Sequence, residues 1–184
     1  INIVAYFKND SQFSNYEIIV LGHSLGAYLL PRIANKSNQI SKIILLAANS
    51  QPLDKLIIEQ YEYLYKLTPT QELKDALQEV KEQTALLNSK VFNLNTTKEN
   101  LPLNLSANYW KSIIDYKPIK EIQKVKIPIL ILQGERDYQV TMKDFKLWKT
   151  NLKDNKKASF ISYPKLNHLF MSGEKPSDPK EYAI

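Results

Sequence analysis

The 184-residue sequence contains no cysteine. That excludes disulfides, a thiolate nucleophile and thiolate metal sites. Only two histidines are present, His23 and His168, too few for a histidine-built metal site once either has another task. Arginine is almost absent: of the 25 basic residues only Arg32 and Arg136 are arginine, and the lysines are spread along the chain. Surfaces that read nucleic acid cluster arginine with aromatics. The net charge of +6 therefore reads as solvated lysine faces, and no nucleic-acid partner is expected. No apolar run approaches the roughly 18 residues of a transmembrane helix, so no membrane span is expected. Repeats and low-complexity tracts are lacking too. Hydrophobic residues make up 43% of the chain, enough for one core with room for a subdomain. No signal peptide is visible and a cytoplasmic location is expected, with export left open because the start does not look native. No expectation attaches to oligomeric state.

Against these absences stands Gly22-His23-Ser24-Leu25-Gly26, which fits G-x-S-x-G. The apolar run Glu17 to Leu21 precedes it and reads as a buried parallel strand. Ala27 to Asn35 follows and reads as a helix. A serine on a tight turn between strand and helix is held in a strained backbone with its hydroxyl clear of the sheet. Gly22 and Gly26 lack a Cβ and are expected to let strand and helix pack closely. A nucleophilic serine needs a base, and the base an orienting acid. His23 is adjacent to Ser24 on the turn and points away, so it is read as structural. His168, in the loop after the strand Ala158 to Tyr163, is the remaining candidate base. Lys126 to Gly134 is the strongest strand, apolar on both faces, as if covered by helices on each side. Pro128 sits near its start, where a missing amide is tolerated. Glu135 and Asp137 leave its carboxyl end, where sites gather in parallel sheets. Asp137 is the better candidate acid; Glu135 has the alternative of pairing at the surface with Arg136 or a lysine. The chain order is then Ser24, Asp137, His168.

With Gly22-His23-Ser24-Leu25-Gly26, Ile127 to Asp137 and Asn167-His168 on the page, the sequence resembles the α/β-hydrolase family. Within it the chain is most similar to carboxylesterases and their dienelactone-hydrolase and serine-aminopeptidase relatives. The resemblance implies an α/β fold, a mostly parallel sheet with flanking helices. It implies a serine hydrolase of small-molecule carboxylic esters, working through an acyl-enzyme and needing no metal or organic cofactor. Ser24 would be the nucleophile, His168 the base, Asp137 the acid, and the Leu25 N–H one oxyanion-hole donor. Members of the family carry further strands before the serine strand, including the loop with a second oxyanion donor. Here only Ile1 to Phe7, read as the end of a helix, and a short loop precede it. The expectation is therefore the second half of such an enzyme, with the serine strand left as an apolar edge prone to pairing.

The remaining segments organise around that frame. Ile40 to Ala47 is the next strand, with small residues at its end. Pro52 to Leu67 carries a helical stripe. Thr68-Pro69-Thr70-Gln71 has the form of a helix start, with Thr68 as cap. Leu73, Ala76, Leu77, Val80, Thr84 and Leu87 make the next stripe, and Ser106 to Tyr116 a shorter helix. Residues 52–117 are thus a helical cap inserted into a core of 1–51 and 118–184. Caps in this fold shape the acyl or alcohol pocket. Thr141 to Leu152 is a helix after the acid loop, and Gly173 to Pro179 is a polar loop near His168. Three other functions stay open: a serine peptidase of the aminopeptidase type, an acyltransferase, and a non-catalytic domain on the same fold.

Overall fold

In the computed structural model, which describes residues 2–182, helices and strands alternate along most of the chain. The order is α1 (Asn2–Asn9), β1 (Ile19–His23), α2 (Leu25–Ala34), β2 (Lys42–Leu46), α3 (Leu53–Leu67), α4 (Gln71–Leu87), α5 (Ala107–Ile113), α6 (Pro118–Ile122), β3 (Ile129–Gly134), α7 (Met142–Asn151) and β4 (Ala158–Tyr163). The chain divides into two compact units: Ile1–Ser50 with Pro118–Ile184, and Gln51–Lys117.

The first unit is built on a four-stranded sheet in the order β1-β2-β3-β4, parallel throughout. β1, β2 and β3 are short runs rich in isoleucine, valine and leucine, the composition of a sheet whose crossovers bury it, and β4 mixes aromatics with serines. One face of the sheet is dry. Ile43 and Leu45 of β2 and Ile129 and Ile131 of β3 pack with Ala27, Leu30 and Ala34 of α2, Ile122 of α6, and Phe145 and Trp148 of α7. The Trp148 indole N–H donates to the Ala48 carbonyl at 2.7 Å, so a large aromatic is buried with its polar atom satisfied.

The opposite face differs from the sequence expectation. Alternation along a strand sends Ile19, Leu21, Ile44, Leu130, Leu132 and Ile161 to that side. Ile19, Leu21 and Ile161 are exposed, and Ile44, Leu130 and Leu132 only half-buried. An apolar strand pattern reports what a sheet face is suited to bury, not which element buries it. Among the described residues the covering helices α2, α6 and α7 all join the one core.

The second unit is helical. Asn88, the C-cap of α4, donates from Nδ2 to Asp54 Oδ2 in the first turn of α3 at 3.0 Å. The start of one helix thus meets the end of the other, and the two run antiparallel. The Trp110 indole N–H of α5 donates to the Pro102 carbonyl at 3.2 Å. The helix start expected at Thr68 lies two residues later. Thr68 closes α3, its N–H bonded to the Leu64 carbonyl at 3.0 Å. Thr70 is the N-cap of α4, and its hydroxyl accepts from the Leu73 N–H at 3.2 Å. Pro69 lies in the link, where a residue that cannot continue a helix serves as a stop.

Candidate active site

Three loops leave the carboxyl ends of β1, β3 and β4, and parallel strands place those ends on one side of the sheet. The loops carry Ser24, Asp137 and His168 in turn. Ser24 sits directly between β1 and α2 with φ 53° and ψ −120°, a conformation unfavourable for any residue with a Cβ. The turn is held from both sides: the Ser24 N–H donates to the Leu46 carbonyl and the Ser24 carbonyl accepts from the Tyr28 N–H, each at 2.9 Å. The Ser24 hydroxyl makes no capping bond to α2. Leu25 is the first residue of that helix, so its N–H lies outside the intrahelical ladder. A Cβ on Gly22 would fall 2.7 Å from the Gly26 and Ala27 backbone, and the close approach there requires glycine. Gly26 is a correction to the sequence reading. A Cβ on it would meet no atom within 4 Å, so close packing does not explain the second glycine.

The two carboxylates after β3 go to different places. Asp137 is buried, and its Oδ2 accepts from His168 Nδ1–H at 2.8 Å. Its Oδ1 accepts from the Gln139 N–H at 2.8 Å and the Val140 N–H at 2.9 Å. These bonds leave the carboxylate one orientation. They also put the proton on His168 Nδ1, which leaves Nε2 as the basic nitrogen. Glu135 is exposed and accepts from the Ser162 hydroxyl at 2.7 Å.

His168 is 4% exposed, in a loop wound around the Asn167 side chain. Asn167 Oδ1 accepts from the Leu169 and Met171 N–H groups, both at 3.0 Å. Gly134 lets this loop lie against β3, since a Cβ on it would fall 2.4 Å from the Leu166 carbonyl oxygen. His23 reaches the same loop. Its Nε2–H donates to the His168 carbonyl at 2.8 Å, and the two rings lie 4.8 Å apart between centroids. The residue read as merely structural is thus the link between the serine turn and the His168 loop.

Gln133 escaped the sequence reading. It is 1% exposed, and its Nε2 donates to Asp137 Oδ2 at 3.1 Å and to the Val140 carbonyl at 2.8 Å. Its signal was available: one amide at the end of an otherwise apolar buried strand needs polar partners close by. Among the described residues no cluster of histidine and carboxylate ligands could hold a metal ion.

Residues 3–176 match the Hydrolase_4 family, described as serine aminopeptidase, S33. The chain belongs to this family. Esterase EstD of Thermotoga maritima is similar to it, with 32% identity over 165 residues, 90% of this chain and 38% of EstD. The acylamino-acid-releasing enzyme of Rattus norvegicus is 36% identical over 78 residues, 42% of this chain and 11% of that protein. Among solved structures, an esterase from Pyrococcus furiosus has a TM-score of 0.56 at 12% identity, over 90% of this chain and 51% of that one. Est1E from Butyrivibrio proteoclasticus has a TM-score of 0.54 at 16% identity, over 91% and 58%. These neighbours establish the α/β-hydrolase fold of this Hydrolase_4 chain. It spans 38% of the length of EstD and 51% of the Pyrococcus esterase. Among the described residues no helix is long and apolar enough to cross a membrane.

Proposed function

We propose that this protein hydrolyses carboxylic esters of small molecules through Ser24, His168 and Asp137. The Ser24 oxygen attacks the acyl carbonyl carbon while its proton passes to His168 Nε2. Asp137 stabilises the imidazolium through Nδ1–H, and the Leu25 N–H donates to the oxyanion. Collapse breaks the bond to the alkoxy oxygen, which leaves as the alcohol with the proton from His168. Water then attacks the acyl-serine with His168 as base, releasing the acid and restoring the hydroxyl. The observation that carries the reading is the buried Asp137–His168 bond of 2.8 Å in a loop tied to the residue preceding Ser24. The esterase names of the relatives support an ester as substrate.

A peptidase is the second reading, favoured by the serine aminopeptidase description of the family and by the acylamino-acid-releasing relative. Amide cleavage uses the same residues. The test is labelling with a fluorophosphonate, read by mass spectrometry, beside Ser24→Ala and His168→Ala. Modification at Ser24 that both substitutions abolish is expected, and absence of labelling in the folded protein would sink both readings. Turnover of an ester against its matched amide then separates them: faster amide cleavage would replace the esterase reading by the peptidase one.

A further inference from the structure

Seven hydrogen bonds converge beside the acid and base loops and take no part in the chemistry above. Arg136 precedes Asp137, and Asn167 precedes His168. Both reach Glu181, on a tail that returns after the His168 loop. Glu181 Oε1 pairs with Arg136 Nη2. Its Oε2 accepts from Asn167 Nδ2–H at 2.8 Å and from the Ser177 hydroxyl at 3.2 Å. The rest of the Arg136 guanidinium is committed as well: Nε–H donates to the Lys175 carbonyl at 2.6 Å and Nη1–H to the Lys165 carbonyl at 3.3 Å. The Asn167 oxygen already holds the backbone of the His168 loop, while its amide nitrogen holds Glu181. Gly173 fits this arrangement, since a Cβ on it would lie 2.2 Å from the Arg136 guanidinium. Tyr182 stacks on Tyr138, the residue after Asp137, with centroids 6.5 Å apart.

We infer that Glu181 is a positioning residue, whose two carboxylate oxygens bridge Arg136 and Asn167 and so set the register of Asp137 against His168. The inference rests on the Ser24–His168–Asp137 reading. The geometry makes one carboxylate the common partner of the residues preceding acid and base. A part-buried charge-assisted bond to arginine and a bond to an amide already locked at its other end leave it little freedom. Displacement of the tail therefore frees both loops together. The hydrogen bonds from Asn167, and then from Arg136 and Ser177, also hold the Glu181 carboxyl below the ordinary carboxylate range, so the bridge is charged wherever the base is active.

The test compares Glu181→Gln and Glu181→Asp with the full-length wild-type protein. Glu181→Gln removes the charge. Glu181→Asp keeps it but is one methylene too short to serve both partners. If Glu181 positions the pair, both variants keep the wild-type KM, lose kcat by about ten-fold, and move the acid limb of kcat/KM to lower pH, because a loosened Asp137 supports the imidazolium less. Wild-type kcat and pH limb in Glu181→Asp would overturn the inference, whatever Glu181→Gln does, since charge alone would then suffice. Should a variant lose its cooperative unfolding transition, Gly173→Ala, which crowds the guanidinium, is measured instead; a wild-type pH limb there overturns the inference equally. Fluorophosphonate labelling of the wild type at Ser24 is run alongside. Its failure strikes the catalytic reading itself, whereas labelled wild type with unaltered variants strikes only Glu181.

Discussion

On the proposed mechanism, Ser24 carries the clearest conflict between stability and chemistry among the described residues. Its φ of 53° is costly for a residue with a Cβ and nearly free for glycine. Ser24→Gly is therefore expected to raise stability by about 1 kcal/mol and to abolish fluorophosphonate labelling; Ser24→Ala keeps the strain and loses only the hydroxyl. Denaturant titration of both variants reads the difference, and equal midpoints would show that the turn stores no strain. Gln133 is the second residue whose role is decided by what it touches. Gln133→Leu preserves volume but removes the donor to Asp137 Oδ2 and the Val140 carbonyl. The Val140 carbonyl, left without that donor, costs about 1–3 kcal/mol. Asp137 keeps its bonds from His168, Gln139 and Val140, and the loss of one restraint on Oδ2 should lower kcat more than KM. Unchanged stability in that variant would mean that solvent reaches the Val140 carbonyl.

At the scale of elements, caps and ion pairs decide where helices stop and how they join. Thr70, not Thr68, starts α4 through its bond to Leu73. Thr70→Ala should cost about 1 kcal/mol of stability, while Thr68→Ala, by its place in the link, should change little; thermal unfolding ranks the two. Acid acts on the joins. Glu121 in α6 lies below its ordinary value of 4.5, first because of the Lys124 bond and then the Asn35 bond that ties α6 to the end of α2. A carboxylate with a depressed folded pKa contributes stability that is fully present above the ordinary value and fades as pH falls through the folded one. Stability should therefore drop on acidification below about pH 4.5, with Glu121→Gln flattening part of that decline. The two groups that carry the effect, Glu121 and Glu181, were not distinguishable by sequence from other surface glutamates. Beside the Lys124 partner three residues on from Glu121, the amides that single these two out are Asn35 and Asn167, 86 and 14 residues away.

For the whole molecule, the uncovered sheet face and the outer edge of β1 dominate. Ile19, Leu21 and Ile161 are 49%, 58% and 45% exposed, and among the described residues no strand pairs with the far side of β1. Such a surface associates. A preparation of these 184 residues should sediment as concentration-dependent oligomers, and Leu21→Lys with Ile161→Lys should shift it toward monomer. A monodisperse monomer at high concentration would refute this. The sequence expectation of a strand covered on both faces holds for one face only. Periodicity records the chemistry of a face, and which helices lie over it depends on the handedness and length of each crossover.

Local pattern alone determined much of this protein. A serine between an apolar strand and a helix, an apolar strand before Asp137, and a lone loop histidine in that order are signals each written within a few residues of chain. They identify the parallel α/β frame because backbone strain, strand burial and turn chemistry act at short range. Tertiary structure decided the rest. It put the Asp137 carboxylate, already preferred in the sequence, against His168 and sent Glu135 to the surface hydroxyl of Ser162. It gave His23 a bond to His168 across 145 residues, and brought Gln133, Asn167 and Glu181 into the same network. Those choices follow from strand order and loop path, which place distant side chains within hydrogen-bonding reach and leave no trace in the periodicity of any one segment.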